Sequence, residues 1–162
     1  MSATVVGYRA FTFDLHMGGV LISPIRAHIW TPGVNEASCK LREALNSWEI
    51  HPVPSTHLRG AGCGFNAWWD VRECTSIDPD RRFTYITAVV LGSGSTLVYE
   101  KGWRSQYCRV IAVINDFHIA ALETRYNVPT LPPDDLGLIS AFGSEFGMTQ
   151  NEALQWDMHD EA

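Results

Sequence analysis

The sequence predicts an α+β fold, in which an antiparallel β-hairpin and a three-stranded meander pack with short helices and the C-terminal third is helical. In the first two thirds, stretches rich in β-branched and aromatic residues alternate with glycine turns, which is typical of antiparallel strands. Beyond residue 115, apolar residues recur at helical spacing between capping signals. With 162 residues, of which 46% are hydrophobic, the chain is long enough to bury a core as one domain.

The predicted hairpin joins residues 5–15 (VVGYRAFTFDL) to residues 20–30 (VLISPIRAHIW) through the glycine turn HMGG. Proline has no N–H to donate, so Pro24 places the second strand at an edge or a bulge. A Pro-Gly turn follows, and an amphipathic helix is then predicted from apolar residues at helical spacing: Ala37, Leu41, Ala44, Leu45 and Trp48. One or two helical turns are predicted within residues 64–74, GFNAWWDVREC.

The meander is predicted from residues 83–91 (FTYITAVVL), the turn GSGS, residues 96–102 (TLVYEKG) and residues 106–114 (QYCRVIAVI). The last segment is apolar at nearly every position, which is typical of a central strand covered on both faces. We therefore expect residues 106–114 to form the centre of the sheet.

Three helices are predicted after the meander. Asn115 or Asp116 caps the first, FHIAALETRY, which ends before the prolines of NVPTLPP. Asp134 caps the second, DLGLISAFGSEFG. Thr149 and Glu152 form a capping box for the third, QNEALQWDMH.

Charge is distributed unevenly along the chain. Ten arginines accompany two lysines, a bias that GC-rich coding produces and that indicates an actinobacterial or actinophage origin. After Arg125 there are seven acids and no lysine or arginine. Residues 1–130 are therefore predicted to form the α+β core domain, and residues 131–162 an acidic helical extension of the same domain. The near-neutral body argues against capture of a phosphate backbone through charge alone.

Neither a leader nor a membrane span is predicted. The opening MSATVVGYRA lacks a basic segment and a long apolar one, and apolar runs such as VIAVI are far shorter than the roughly 20 residues of a spanning helix. Without a secretory signal, the four cysteines are expected to be reduced thiols or metal ligands rather than disulfides. A cytoplasmic protein is the expectation.

The loop HPVPSTHLRGAGCGF is the first candidate site. With one upstream cysteine it offers two thiols and two imidazoles, a set that tetrahedral zinc accepts: Cys39, His51, His57 and Cys63. The gaps of 12, 6 and 6 residues lack the tight pair of ligands found in structural zinc sites, which favours ordinary packing roles for these residues.

Two other interpretations of this loop stay open. If a helix begins at Cys63, its N-terminus lowers the pKa of the thiol, and His51 or His57 serves as base. A buried and inert thiol is the more frequent situation. The alternating glycines of GAGCG offer backbone amides to an anion, but they lack both the G-x-G-x-x-G spacing and a preceding strand, so a tight turn is favoured.

A short pattern occurs twice, as GYRAF from Gly7 and as GWRSQY from Gly102. Both copies combine glycine, an aromatic residue, arginine and a small residue beside a predicted strand. The favoured interpretation of both is the start of a strand in which the arginine packs over an aromatic ring.

Six short motifs, in this order, resemble an uncharacterised family of actinobacterial and actinophage proteins. They lie between residues 7 and 129 and read GYRAF, WTPGVNEASC, HPVP, CGFNAW, EKGWRSQY and RYNVP. The resemblance implies a small α+β domain encoded by a phage or its host, with no established activity. Where the family carries C-x-C-G, this chain has Ala61 in place of the first cysteine. If that family pattern holds zinc through three cysteines and one histidine, three ligands remain here: Cys39, His51 and Cys63. Either His57 then substitutes for the fourth, or the site is lost and the loop keeps its shape by packing alone.

These observations favour a non-enzymatic binding protein that acts through contact with a host protein. No complete catalytic constellation and no cofactor motif occurs, and Trp, Tyr and Arg are the residue types that dominate interface hot spots. The predicted partner-binding residues are Trp103, Arg104, Tyr107 and Trp156. The alternative is a zinc- or thiol-dependent site in residues 51–64, enzymatic or redox-sensing.

Nucleic-acid binding is the third interpretation. A stacking face would combine the segment DRRF with nearby aromatic and arginine residues: Tyr85, Trp103, Arg104, Tyr107 and Arg109. The charge balance of the chain disfavours it. A homodimer formed through the acidic tail or an edge strand is also compatible with the sequence.

Overall fold

The computed structural model describes residues 3–23, 28–38, 53–54, 63–76 and 85–160. Within these ranges the chain forms one mixed sheet with short helices. The strands are β1 (Val5–Asp14), β2 (Val20–Ile22), β3 (Asn35–Glu36), β4 (Phe65–Trp68), β5 (Tyr85–Val98), β6 (Gly102–Ile114) and β7 (Thr130–Leu131). The helices are a 3₁₀ helix (Val71–Ser76), α1 (Ala120–Tyr126), α2 (Leu136–Ser144) and α3 (Gln150–Asp160).

Four strands of the sheet close into a ring. β5 lies antiparallel between β1 and β6, and the first half of β6 pairs with β4. β4 in turn reaches β1, where Tyr8 pairs with Trp68. The strands β1, β5, β6 and β4 therefore form a small barrel, whose β1–β4 seam has one backbone pair among the described residues. β2, β3 and β7 extend the sheet at its edges.

The two faces of the barrel strands bury two cores, because successive residues of a strand point to opposite sides. On β1, Val5 and Phe11 belong to the inner core, whereas Val6 and Tyr8 pack on the outer face with the 3₁₀ helix and α2. Other members of the inner core include Trp30, Phe65, Ile86, Val90, Trp103 and Val110. The outer core includes Cys74, Val89, Leu91, Ile111 and Ile139.

Trp103 is a fully buried residue of the inner core, and two glycines leave the space that its indole occupies. Its side chain is 1% exposed, and its indole N–H donates to the carbonyl oxygen of Val6 over 3.1 Å. A Cβ on Gly7 would lie 2.6 Å from Trp103 Nε1, and a Cβ on Gly92 would collide with the six-membered ring. Both glycines are therefore required by the close approach of the indole to the backbone.

The predicted three-stranded meander is wrong, because GSGS is not a turn. β5 continues through it, and Gly94, with φ of +75°, lies in an irregular part of the pairing between Ser93 and Thr96. The chain reverses instead at Glu100 and Lys101, so two long strands replace three short ones. Glycine with positive φ serves β-bulges as well as turns, and the sequence pattern is the same for both.

The helical turns predicted within residues 64–74 are wrong in their first half. Residues 65–68 form strand β4, and the 3₁₀ helix is confined to Val71–Ser76. Along β4, Phe65 and Ala67 are buried while Asn66 and Trp68 are exposed. This alternation has the period of a strand, with one side facing the inner core.

The predicted helical C-terminal third is also wrong, and with it the predicted fold class. β6 continues to Ile114 and β7 follows at Thr130–Leu131, so the end of the chain contributes a central strand and an edge strand. More of the described residues lie in strands than in helices, and the helices are short. A large mixed sheet, rather than a hairpin and a meander packed with helices, is the basis of the fold.

The helix caps differ from the predicted ones in two cases. The residue at the N-cap of α1 is Ile119, which makes no side-chain capping bond, rather than Asn115 or Asp116. At α2 the cap is Asp135, whose Oδ1 accepts the Leu138 N–H over 3.0 Å, rather than the neighbouring Asp134. Before α3, the hydroxyl of Thr149 bonds to Glu152 Oε1 over 3.2 Å.

Other predictions are confirmed by the structure. β1 and β2 form an antiparallel hairpin around residues 15–19, and Val110 to Ile114 of β6 are all buried in the centre of the sheet.

The helix predicted to begin near Ala37 lies outside the described residues from position 39 onward. The sequence left the placement of the C-terminal helices open; in the structure Ile139 of α2 is buried in the outer core and Ala153 of α3 in the inner core. Among the described residues, no helix combines the length and the apolar character needed to cross a bilayer.

Candidate functional site

Of the four residues predicted to hold zinc or to serve as thiol and base, the structure describes one, Cys63. Cys39, His51 and His57 lie outside the described residues, as does the segment between Pro54 and Cys63. Cys63 is 1% exposed. It is followed by strand β4 rather than by a helix, so the helix N-terminus that would activate its thiol is absent. Among the described residues there is no group of three or more potential ligands for a metal ion.

The described end of this loop forms a tight turn. Gly64 has a φ of +102°, and a Cβ on it would lie 2.6 Å from the Cβ of Pro54. Both features require glycine, because side chains rarely adopt this backbone conformation and Pro54 leaves no space. At this glycine the turn interpretation is therefore favoured over the anion cradle.

The other two described cysteines, Cys74 and Cys108, are buried. Burial raises the pKa of Cys74 to about 12 and that of Cys108 to about 12. The cause is loss of solvation of the thiolate, which the nearby Arg9 guanidinium offsets only in part. Neither thiol is suited to nucleophilic or redox chemistry.

The four predicted partner-binding residues lie in different environments. Trp103 is in the inner core, as described above. Tyr107 is half-buried, with its ring against the backbone of Gly94, and Trp156 is half-buried on α3. Arg104 is half-buried on the outer side of β6, opposite in orientation to Trp103. The structure therefore does not bring the four together on one surface.

The outer side of β4, β6 and the end of β5 carries a different set of residues, which we call the aromatic face. It consists of Asn66, Trp68, Leu97, Tyr99, Gly102 and Arg104. Its first row crosses three strands: Trp68 pairs with Gly102, and the Tyr99 N–H donates to the Gly102 carbonyl over 2.8 Å. Trp68 and Tyr99 are each 37% exposed, and the residue between them has no side chain.

The second row of the aromatic face lies two residues further along each strand. Arg104 is paired with Asn66 on one side and with Leu97 on the other. Paired residues of an antiparallel sheet project to the same side, so all three side chains share the face of Trp68. The Arg104 guanidinium has no hydrogen bond or ion pair with any described residue, and both of its neighbours in the row are uncharged.

The backbone beneath the aromatic row is fixed by contacts from Trp69, which follows β4, and from α3. The Trp69 N–H donates to the Lys101 carbonyl over 3.0 Å, and the Trp69 indole N–H donates to the Tyr99 carbonyl over 2.9 Å. From α3, the Gln150 amide donates to the Glu100 carbonyl over 2.6 Å. These bonds hold the β5–β6 turn, so Trp68 and Tyr99 project from a defined backbone.

Arg9, the arginine of the first copy of the repeated motif, differs from Arg104 because it has several hydrogen-bond and ring contacts. The Arg9 guanidinium lies 5.7 Å from the ring centroid of Phe11 and 5.4 Å from that of Trp30. It donates to the Asn66 carbonyl (2.6 Å) and side chain (2.8 Å), and to the Ser23 hydroxyl (3.0 Å). Arg9 thereby bridges the seam where the pairing of β1 with β4 ends. The predicted packing of an arginine over an aromatic ring is confirmed here.

A small cleft lies where β1 meets Trp69, α2 and the start of α3. Its volume is about 170 Å³, and its walls include Val6, Tyr8, Trp69, Ser140 and Thr149. Pockets for drug-sized ligands usually measure about 300 to 1,000 Å³, so this cleft is too small for an ordinary substrate. It carries no ionisable group apart from the Tyr8 phenol, whose pKa burial raises.

Sequence reasoning identified Arg104 but missed Trp68, Leu97 and Tyr99 as its neighbours. The signal for Trp68 was present in FNAW, whose alternation of apolar and exposed positions has a period of two. Treating this stretch as a helix concealed which side of it faces outward.

Comparisons with protein-family models, with curated proteins and with solved structures found no match to this chain. The resemblance to an actinobacterial and actinophage family therefore stays a prediction. The functional argument has to rest on the geometry of the described residues.

Proposed function

We propose that the protein is a non-enzymatic binding module that works through protein–protein contact, with the aromatic face as its contact surface and a host protein as its partner. The observation that carries this proposal is the second row of the face, where Arg104 has no acidic partner among the described residues and lies beside the exposed Trp68 and Tyr99. Trp, Tyr and Arg are the residue types that contribute most to protein interfaces. In this module the barrel acts as a scaffold that fixes their positions.

The described residues around the aromatic face support a role in protein binding rather than in catalysis. The described cysteines are buried, and the small cleft beside β1 has one ionisable group, the Tyr8 phenol, among its described lining residues. A zinc- or thiol-dependent site in residues 51–64 is the alternative proposal, and its support is limited to the residue types in that loop.

Nucleic-acid binding is less well supported. A phosphate backbone requires several cations along its path, whereas the aromatic face contains one arginine and the whole chain carries a net charge of -6. The nearby Arg72 is already engaged by Asp70, 2.6 Å away. A protein partner needs one well-placed cation and apolar area, which the face provides.

The test is affinity capture of the tagged protein from an actinobacterial lysate, with and without nuclease. Wild type is compared with the double variant Trp68→Ala/Arg104→Gln and with Phe117→Ala. Phe117 is 64% exposed and lies outside the aromatic face, so it controls for the loss of any exposed aromatic residue.

We expect a specific protein, retained after nuclease treatment, to bind wild type and Phe117→Ala and to be lost from the double variant. Capture that is equal for all three proteins would reject the aromatic face as the contact surface. Loss of every retained protein after nuclease treatment would favour the nucleic-acid interpretation.

A further inference from the structure

We propose that the aromatic face selects an extended peptide segment that carries an apolar side chain and, two residues away, a carboxylate. This inference rests on the proposed function and adds the chemistry of the partner. It is drawn from the charge of Arg104, which has no ion-pair partner within the described part of the chain, from the apolar row beside it and from the spacing between the two rows.

The carboxylate is inferred from the charge of Arg104. This side chain is half-buried, and it shares its row with Asn66 and Leu97, which carry no charge. The Asn66 side-chain oxygen is already used, since it accepts from Arg9. A partly desolvated guanidinium gains most from a planar anion that accepts two parallel hydrogen bonds, and a carboxylate is the group of that kind that proteins supply.

The apolar side chain is inferred from the first row. Trp68 and Tyr99 are separated by two strand spacings, which is about 9.6 Å, with a glycine between them. No side chain divides the row, so an apolar side chain of the partner would contact both rings. Burial of aromatic surface in this manner is what makes such residues binding hot spots.

The spacing of the two partner residues is inferred from the register. Trp68 and Asn66, Gly102 and Arg104, and Tyr99 and Leu97 are each two residues apart on their strands. Two residues of a strand span about 6.7 Å, and residues i and i+2 of an extended peptide project to one side with the same repeat. A peptide lying along the strand direction therefore places one side chain on each row.

The proposal is tested by selection from a displayed library of random linear peptides. The proteins used for selection are wild type, Arg104→Glu, Trp68→Ala and the control Arg109→Glu, each first compared by urea unfolding. Arg109 is an exposed cation on β6 outside the aromatic face, so its reversal changes the net charge by the same amount.

With wild type and Arg109→Glu we expect enrichment of an apolar residue followed at i+2 by Asp or Glu. Arg104→Glu should exchange this acid for Lys or Arg while the apolar preference persists. Trp68→Ala should weaken the apolar preference. For the enriched peptide, calorimetry should show about a ten- to hundredfold loss of affinity with Arg104→Gln, and the same loss when the peptide acid is amidated.

An acid preference that survives in Arg104→Glu, or a consensus with i, i+4 spacing in a helix-forming peptide, would overturn this inference while leaving the proposed function intact. The capture experiment decides that function separately. If no peptide is enriched and the oligonucleotide dT10 binds instead with strong salt dependence, both proposals fail.

Discussion

The two copies of the Gly-aromatic-Arg motif lie in the same sheet but in opposite phase. In the first copy, the aromatic Tyr8 packs on the outer face and Arg9 faces the inner core. In the second, Trp103 lies in the inner core and Arg104 faces outward. A pattern of three residues therefore yields one arginine that bridges strands of the barrel and one that faces outward without a hydrogen-bond partner among the described residues.

The difference between the copies arises from where each motif lies along its strand, not from the residue pattern that they share. Because side chains alternate along a strand, a shift of one residue exchanges the inner and outer positions. Arg9 meets two aromatic rings and three hydrogen-bond acceptors, whereas Arg104 meets uncharged neighbours at the surface. The following substitutions test whether the two copies have separate roles.

The largest effect is expected at the aromatic position of the second copy. Trp103→Ala removes a fully buried indole and its hydrogen bond, so we expect a loss of about 3 to 5 kcal/mol in the free energy of unfolding. Tyr8→Phe, which removes only the hydroxyl from the outer core, should cost about 1 kcal/mol or less. Urea unfolding measures both, and similar losses for the two would contradict the assignment of Trp103 to the inner core.

The second largest difference in stability is expected between substitutions of the two arginines, Arg9 and Arg104. Arg9→Ala removes three hydrogen bonds and two ring contacts and leaves the Asn66 carbonyl unpaired, so a loss of about 2 to 4 kcal/mol is expected. Arg104→Ala should change stability by no more than about 0.5 kcal/mol. If Arg104→Ala destabilised the protein as strongly as Arg9→Ala, its role would be structural and the proposed function would lose its main support.

The glycines should show that the first position of the motif has the same role in both copies. A Cβ on Gly7 would lie 2.9 Å from that of Ala67, and a Cβ on Gly102 would collide with the Ala67 carbonyl oxygen. Replacement of either by alanine should cost about 1 to 3 kcal/mol. Gly137→Ala is the control: a Cβ on this helical glycine would lie at an ordinary contact distance of 3.6 Å from Asp135 Oδ1, so stability should rise by up to about 1 kcal/mol.

The smallest effect is expected in the rate at which the buried thiols of Cys74 and Cys108 are alkylated. With pKa values of about 12, Cys74 and Cys108 should resist iodoacetamide at pH 8 in the native protein. Arg9→Ala weakens the β1–β4 seam beside the inner core, so labelling of Cys108 should increase more than that of Cys74. Peptide mass mapping measures each site. Equal increases at both would indicate global unfolding, and an increase at Cys108 in Arg104→Ala would contradict the separation of roles.

Parts of the fold were predictable because they depend on local patterns. The uninterrupted apolar run of residues 106–114 indicated a strand covered on both faces, and Val110 to Ile114 are buried in that way. The glycine turn before Val20 was also sufficient to predict the first hairpin. In both cases the residues that determine the structure are neighbours in sequence.

Other parts depend on contacts between distant residues. GSGS is compatible with a turn or a bulge, and the choice depends on Tyr107, whose ring occupies the space beside Gly94. The direction in which Arg104 points depends on the pairing of β6 with β4 and β5. Composition suggested a role in binding for the residues around Arg104, but the aromatic face required the register.

The order of the strands in the chain has a consequence for biosynthesis. β4 is synthesised before β5 and β6, yet it pairs with β1 at one position and otherwise with β6. Among the described residues, the first 76 contain few pairings beyond the β1–β2 hairpin, and isolated hairpins are marginally stable. The nascent chain therefore has to reach Ile114 before the four strands can close into a ring, so β1 stays without its partner β5 until most of the chain has been made.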